Sequence, residues 1–512
     1  MTDNTQSNKR IAKNTMFLYV QFFVNLAIGL YTSRVVLQVL GVSDYGLYAV
    51  VGGILGMFSF LSSSLGGATT RFLNFEMGAK DGDVNRAFNI NVILHLLFAL
   101  IVFAAAEAGG LYYIYNYLQV EDGKLGDAVF VFEVAIITCC IGINNTPFSS
   151  LFRAKEQFLF LTLLDIFNVV VRLGLIIMLK YYDGNSLRLY VIIMSFTNVS
   201  SFVIYRIVAK KRWPEIIMYR FIRGWHYYKN VLVFGWWNLL STLAVMARTS
   251  GSDMLLNSFF GTAVNGAYAL SRTVADYVIN VSSHFEGASA PQITQSYSAN
   301  DQSRCSYLVN KMGRISLLLY LLVFFPLYIE LDFVLHLWLG EVPDGVLLLC
   351  KINLILGFVS LTSSGLVTYI NATGKIMWFK ILMSTLLIAC IPIGYLLFKM
   401  GLPYYVLPIL FIVADVVHRV FQFFLLKKIT GYDVINYIKS AYTRPIIIII
   451  VMSAVLYLYG LTGLGVTTTT KLLAIAICLL MSASLVLFVG FTKSERTRIY
   501  SFVQQKLNIK HE

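Results

Sequence analysis

The stretch from Arg248 to Asp276, RTSGSDMLLNSFFGTAVNGAYALSRTVAD, decides how the chain is read. On either side of its Gly261–Gly266 turn lies apolar sequence long enough to cross a bilayer, yet these flanks carry Arg248, Asp253, Arg272 and Asp276. A charge at the middle of a spanning helix costs at least about 2.5 kcal/mol, so it faces water or a partner. The same turn occurs once more: Gly41, Gly46, Tyr48 and Ala49 match Gly261, Gly266, Tyr268 and Ala269 at a constant shift. The chain therefore reads as two copies of one helical unit closing around a set of buried charges.

Composition places those units in lipid. The chain has 512 residues, of which 58% are hydrophobic and 13% charged, against about 25% charged in a soluble domain. Fourteen apolar stretches fit, at 11–39, 44–75, 87–117, 127–151, 157–181, 188–209, 229–259, 263–295, 307–337, 345–371, 376–399, 403–427, 444–461 and 470–491. About 20 residues cross the hydrocarbon as helix, and runs this long satisfy their own backbone only as helices. The fold class is thus all-α integral membrane, with 14 transmembrane helices. Lys9, Arg10 and Lys13 precede a first run too long and too polar for a signal peptide, so it reads as a retained span.

Lys and Arg concentrate on one side. With the N-terminus inside, the inner segments hold Lys80, Arg86, Arg153, Lys155, Lys375, Lys380, Lys427, Lys428 and the basic tail, while Glu121, Asp122, Asp127, Asp332, Glu341 and Asp344 fall outside. That is the positive-inside pattern, and it puts both termini in the cytoplasm. It also accounts for the net charge of +14 without nucleic acid. The densest basic run, Arg206 to Lys229, contains Pro214 and reads as a linker lying on anionic lipid.

The domain expectation follows: 1–209 as an N-terminal lobe of six spans, 210–228 as a cytoplasmic linker, 229–430 as a C-terminal lobe of six, and 431–512 as spans thirteen and fourteen with the tail. The repeat supports it. At the shift seen above, Gly67-Ala68-Thr69 lies over Gly287-Ala288-Ser289, and Ala79 and Asp81 over Ala299 and Asp301. Six spans separate the copies, so both insert the same way up, a transporter architecture. Small residues crowd span two from Gly52 to Gly67, where backbones approach closely. Pro147, Pro291, Pro326, Pro392 and Pro408 are candidate kinks.

The charges within spans carry the chemistry. Arg34, Arg71, Arg248 and Arg272 lie on spans one, two, seven and eight, the leading pair of each repeat. A guanidinium stays charged and offers a fork of donors that fits phosphate. One reading makes these four arginines the substrate-binding lining of a wet cavity. The other pairs Arg248 with Asp253 and Arg272 with Asp276 to hold helices together. Asp165, with Arg172 seven residues on, and Asp253, Asp276 and Asp415, with His418 and Arg419 beside the last, are candidates for coupling a proton or a sodium ion, or for an internal ion-pair network.

Other chemistries lack residues. The cysteines Cys139, Cys140, Cys305, Cys350, Cys390 and Cys478 show no CxxC or CxxH spacing, so neither disulfides nor a metal site is expected. Ala372-Thr373-Gly374-Lys375 lacks the first glycine of a P-loop, and Ile376 stands in place of its Ser/Thr. No cofactor and no enzymatic activity are expected. A membrane-embedded glycan polymerase would need a large outer loop, and the chain has none.

The opening NTMFLYVQFFVNLAIGLYTSRVVLQVLGVSDYGLYAVV, the LGxxxYGLY pattern, the glycine-rich second span and the ATGK turn after span ten are similar to polysaccharide flippases of the multidrug/oligosaccharidyl-lipid/polysaccharide (MOP) exporter superfamily. The resemblance extends over essentially the whole chain. It implies two six-helix lobes, alternating access, and transfer of an undecaprenyl-diphosphate-linked oligosaccharide across a bacterial inner membrane. It further implies spans thirteen and fourteen as a groove for the lipid tail, and a monomer that works with membrane lipid and polysaccharide-assembly proteins. The rival within the superfamily is a cation-coupled multidrug exporter, for which acidic and aromatic cavity walls are expected instead.

Overall fold

The computed structural model describes residues 13–25, 65–116, 123–340, 342–462 and 467–497, with a few positions between 27 and 39. Arg34 and most of span two lie outside the described residues. Among those described, every regular element is helical. After a first helical stretch at 13–25 come α1 (65–78), α2 (Val84–Asn116), α3 (Leu125–Ala154), α4 (Phe158–Leu179), α5 (Ser186–Arg212) and the short α6 (Pro214–Ile217). Then follow α7 (Trp225–Met246), α8 (Ser252–Ser298), α9 (Gln302–Ile329), α10 (Leu331–Leu339), α11 (Val346–Leu361) and α12 (Ser364–Thr373). The last are α13 (Met377–Lys399), α14 (Val406–Thr430), α15 (Val434–Thr462) and α16 (Thr468–Leu485).

Ten helical segments among the described residues are long and apolar enough to cross a membrane, and α11 with α12, bent by 42°, makes an eleventh. Span eight is absent from that set because its residues, within α8, are too polar to pass by composition alone. The Gly261–Gly266 turn expected from sequence is tighter in the structure. Helix continues from Ser252 to Ser298 and departs from helical geometry at Gly261, whose φ of 79° suits a residue without Cβ.

The chain divides into two compact units. The first comprises Met1–Thr242, Ala290–Asp301 and Ala372–Met377; the second comprises Leu243–Ser289, Gln302–Asn371 and Trp378–Glu512. In the first unit α3 packs on α2, α4 and α5. Its core includes Ile136, Phe132, Ile176 and Leu187 at one end, and Leu73, Phe88, Leu151 and Ile216 at the other. In the second unit α9 packs on α15 and α16, and α11 on α14. Leu256, Tyr268, Tyr320, Leu349 and Phe411 fill its centre, and Leu321, Phe325, Met452 and Cys478 join α9 to the last two spans.

Local chemistry sets the ends. Asn185 caps α5 by accepting from the Arg188 N–H. Pro214 stops α5 and occupies the first turn of α6, where a missing N–H costs nothing. The expected linker is consequently held against protein. Asn85 of α2 donates to the carbonyls of Glu215, Ile216 and Met218 at 2.8–3.0 Å, and Asn89 donates to that of Met218 at 3.0 Å. Of the five prolines, Pro147, Pro291, Pro326 and Pro392 lie inside helices, whereas Pro408 sits in the first turn of α14.

Candidate functional site

In the second unit, the last turn before α8 is a π-helical segment, Ala247–Gly251, which carries Arg248. Such one-turn widenings recur at functional positions. The Arg248 guanidinium lies 4.9 Å from the centre of the Phe411 ring of α14. Among the described residues Arg248 has no ion pair. Arg272, nearly three turns past Gly261 on α8, points back to Asp253: its Nη2 donates to Oδ1 at 2.7 Å and to Oδ2 at 2.9 Å. This corrects the pairing considered from sequence, where Asp253 was matched with Arg248 and Asp276 with Arg272. The bend at Gly261 brings the two halves of α8 face to face, so the partners are 19 residues apart rather than four or five.

The Arg272 and Asp253 side chains keep 23% and 34% of their surface exposed. Arg272 also stacks on the buried Tyr268 ring at 4.8 Å. Arg248 and Arg272 both act electrostatically on Tyr268 and on Asp276, whose side chain is exposed. Arg248, Arg272, Asp253, Asp276 and Tyr268 thus form one cluster. Within it one guanidinium is unpaired and another is held by a partly wet carboxylate.

Arg71 belongs to the first unit and is engaged differently. Its guanidinium stacks on Phe72 and Phe234, each at 4.8 Å, and donates to the Ala372 carbonyl at 3.2 Å. Gly374, in the ATGK turn, has a φ of 75°, and a Cβ there would strike the Arg71 guanidinium. The ATGK turn is therefore a seat for Arg71.

A family model described as polysaccharide biosynthesis protein matches residues 35–342, more than half of the chain. The chain belongs to this family. Similar solved structures agree on the fold. A MATE transporter in complex with MaL6 shares 13% identity at a TM-score of 0.69, covering 82% of this chain and 95% of its own. An outward-facing multidrug resistance MATE family transporter of the MOP superfamily shares 14% at 0.69, with the same coverage. A MOP superfamily transporter from Pyrococcus furiosus, described as having a binding pocket of reversed polarity, shares 14% at 0.65, covering 81% and 95%. No curated protein matches. The fold of the chain is accordingly that of the MOP superfamily, in a multi-pass membrane protein.

The remaining sequence candidates sit in two polar networks. In the first unit Asp165 accepts from Gln21 at 2.9 Å and Asn25 at 2.5 Å, both on the 13–25 helix. Arg172, read from sequence as its neighbour on one face, donates instead to Thr197 of α5 at 3.1 Å. In the second unit Asp415 accepts from Ser360 at 2.5 Å. Arg419, one turn on, donates to Thr362 Oγ1 at 2.9 Å, Gln422 Oε1 at 2.5 Å, and the carbonyls of Val359 and Ser360 at 3.3 and 3.4 Å.

Reading the sequence alone missed the reason for this second network. Hydropathy makes residues 345–371 one span, but the structure breaks it after Leu361. The signal was present in Ser360-Leu361-Thr362-Ser363-Ser364-Gly365. Thr362, Ser363 and Ser364 each turn a hydroxyl back onto a carbonyl three residues earlier, at 2.6, 3.2 and 2.5 Å, an alternative to helix that hydroxyl side chains offer the backbone.

Proposed function

We propose that the chain is a flippase that moves an undecaprenyl-diphosphate-linked oligosaccharide across the inner membrane by alternating access. The observation that carries this reading is the state of the two arginines beside Tyr268. Arg248 is unpaired among the described residues, and Arg272 is held by an acid that is one third exposed. A diphosphate offers what both lack: a dianionic, multidentate acceptor that engages Arg248 directly and displaces Asp253 from Arg272. Asp253 then acts as a stand-in for the ligand, keeping Arg272 oriented when no substrate is bound. Membership of a polysaccharide biosynthesis family fits a substrate of this class.

Arg71 serves this reading through the ATGK turn, and Arg34 through its position on span one. Asp165, Asp276 and Asp415 are the acids available for coupling to a proton or sodium ion. In an expression host lacking its own flippase, R248A/R272A removes surface polysaccharide while the protein stays at wild-type level in the membrane. Unchanged export by that double variant would overturn the assignment.

A second reading, a cation-coupled multidrug exporter, draws on the exposed Asp276 and on the multidrug transporters that share the fold. It predicts resistance to cationic drugs that D276N abolishes. The flippase reading predicts no change in drug susceptibility on overexpression.

A further inference from the structure

At the end of the second unit that the positive-inside pattern assigns to the cytoplasm, three helices converge. There α9 packs on α15 and α16, joined through Leu318, Leu321, Ile448, Met452 and Val486. Each helix supplies an arginine: Arg314 on α9, Arg444 on α15, and Arg496 just past the π-helical turn Val486–Gly490 that ends α16.

A contact ties each of these side chains to the same short stretch, 488–495. Arg444 Nη1 donates to the carbonyls of Val489 and Gly490 at 3.2 and 3.3 Å, where the ended helix leaves acceptors without partners. Arg314 Nη2 donates to Glu495 Oε1 at 2.5 Å, and these two side chains are only 12% and 11% exposed. The Arg496 guanidinium lies 5.8 Å from the centre of the Phe488 ring. Glu495 has a second task. Its Oε2 accepts from the Thr492 N–H at 2.8 Å, while Thr492 Oγ1 accepts from the Glu495 N–H at 3.3 Å, a reciprocal cap that fixes the turn.

The charges here do not balance. Arg314, Arg496 and Glu495 are the charged groups that bear on Arg444, so three guanidinium groups share one carboxylate. The sequence that follows adds Arg498, Lys506 and Lys510 against Glu512. Donors are left over as well: Nε of Arg314 and Nε of Arg496 have no hydrogen-bond partner among the described residues. A clamp built only to hold structure needs one cation at the end of α16 and one for Glu495; a third repels both. An anion with several acceptor oxygens offsets that repulsion and suits the guanidinium fork.

The surroundings indicate which anion. Phe488 is exposed, and so is Ile447, one turn along α15 from Arg444. Both lie in segments long and apolar enough to cross a membrane, so acyl chains run against them. Basic clusters between the ends of spans, at the level of the cytoplasmic headgroups, recruit acidic lipids. We propose that Arg314, Arg444 and Arg496 form a binding site for the headgroup phosphate of an acidic phospholipid, at the foot of spans nine, thirteen and fourteen. Arg444 and Arg496 contact the phosphate, and Arg314, held by Glu495, adds its field. The site does not rest on the transport reading above.

The test places a reporter at the site. F488W in the full-length protein is reconstituted into phosphatidylcholine vesicles containing increasing brominated phosphatidylglycerol or brominated phosphatidylcholine. The signal is the fluorescence that F488W shows beyond wild type. Half-quenching is expected at an about tenfold lower fraction of the brominated glycerol lipid than of the choline lipid, and F488W/R444Q/R496Q loses that difference. Equal quenching by the two lipids, or a difference that persists in the triple variant, overturns the proposal. Should loss of the Arg444 cap prevent folding, F488W/R496Q is read instead: it narrows the difference, and an unchanged difference overturns the proposal. Inorganic phosphate at constant ionic strength separates the two sources of this chemistry. The difference survives it if a lipid headgroup is bound; its disappearance would assign the site to free phosphate and overturn the lipid. None of these readouts involves export, so the site and the flippase reading stand or fall separately.

Discussion

At the scale of single residues, the pairing of Arg272 with Asp253 matters most. The pair is partly wet, so its contribution to stability is modest, about 1 kcal/mol after solvent screening. Removing the acid therefore costs little in folding but leaves a free guanidinium where the diphosphate is proposed to sit. D253N is expected to lower the unfolding midpoint slightly while tightening binding of a lipid diphosphate several-fold; R272A is expected to weaken the same binding. Both are measured by titrating purified protein with the lipid. The residues of this cluster were legible in the sequence because charge in an apolar run stands out. Their pairing was not, since it depends on a fold-back at Gly261 that only backbone geometry reveals. Gly261→Ala tests this directly: with φ at 79° and ψ at −176°, a backbone region that essentially only glycine adopts, a Cβ costs about 1–3 kcal/mol and opens the angle that sets Arg272 against Asp253.

At the scale of elements, the broken span ten is held by one arginine and two tyrosines. R419A takes the charged donor away from the Thr362 hydroxyl and from the carbonyls of Val359 and Ser360, which keep only their bonds from Thr362 and Ser363. Loss of hydrogen bonds from a charged donor inside protein is worth about 1.5–3 kcal/mol each at most, so R419A is expected to destabilise the second unit by about 3 kcal/mol. Tyr437 and Tyr442 of α15 both donate to the Thr362 carbonyl; Y442F removes one of these two donors and should cost about 1 kcal/mol. Thermal unfolding in detergent ranks the two. The break escaped sequence reading because its hydropathy is that of one continuous span. Only the run of Ser, Thr and Gly marks it, and the same residue types line intact helices elsewhere, as in span two. In the first unit, Asn85 and Asn89 pin the 215–218 backbone. N85A/N89A should raise the rate of proteolysis at Arg220 and Arg223 about tenfold, the equivalent of one to two lost hydrogen bonds.

For the whole molecule, composition alone separates a membrane chain from a soluble one, and the length of its apolar runs makes it helical. Eleven of the fourteen expected spans are recognisable among the described residues. Span eight is helical but too polar to be counted by hydropathy, and its polarity, from Ser271, Arg272, Asp276, Ser282, Ser283 and Glu286, is what makes it chemically useful. Neither the substrate nor the coupling ion is written in periodicity. They depend on which charges the fold leaves unanswered, Arg248 at the π-turn first among them. The central claim is that fixed guanidinium groups receive a diphosphate within the membrane. Equilibrium binding of an undecaprenyl-diphosphate oligosaccharide to the full-length protein, compared with the same lipid-linked sugar lacking phosphate, tests it most directly. A preference of about tenfold or more for the diphosphate is expected, and it vanishes in R248A/R272A. Equal binding of the two lipids by the wild-type protein would contradict it.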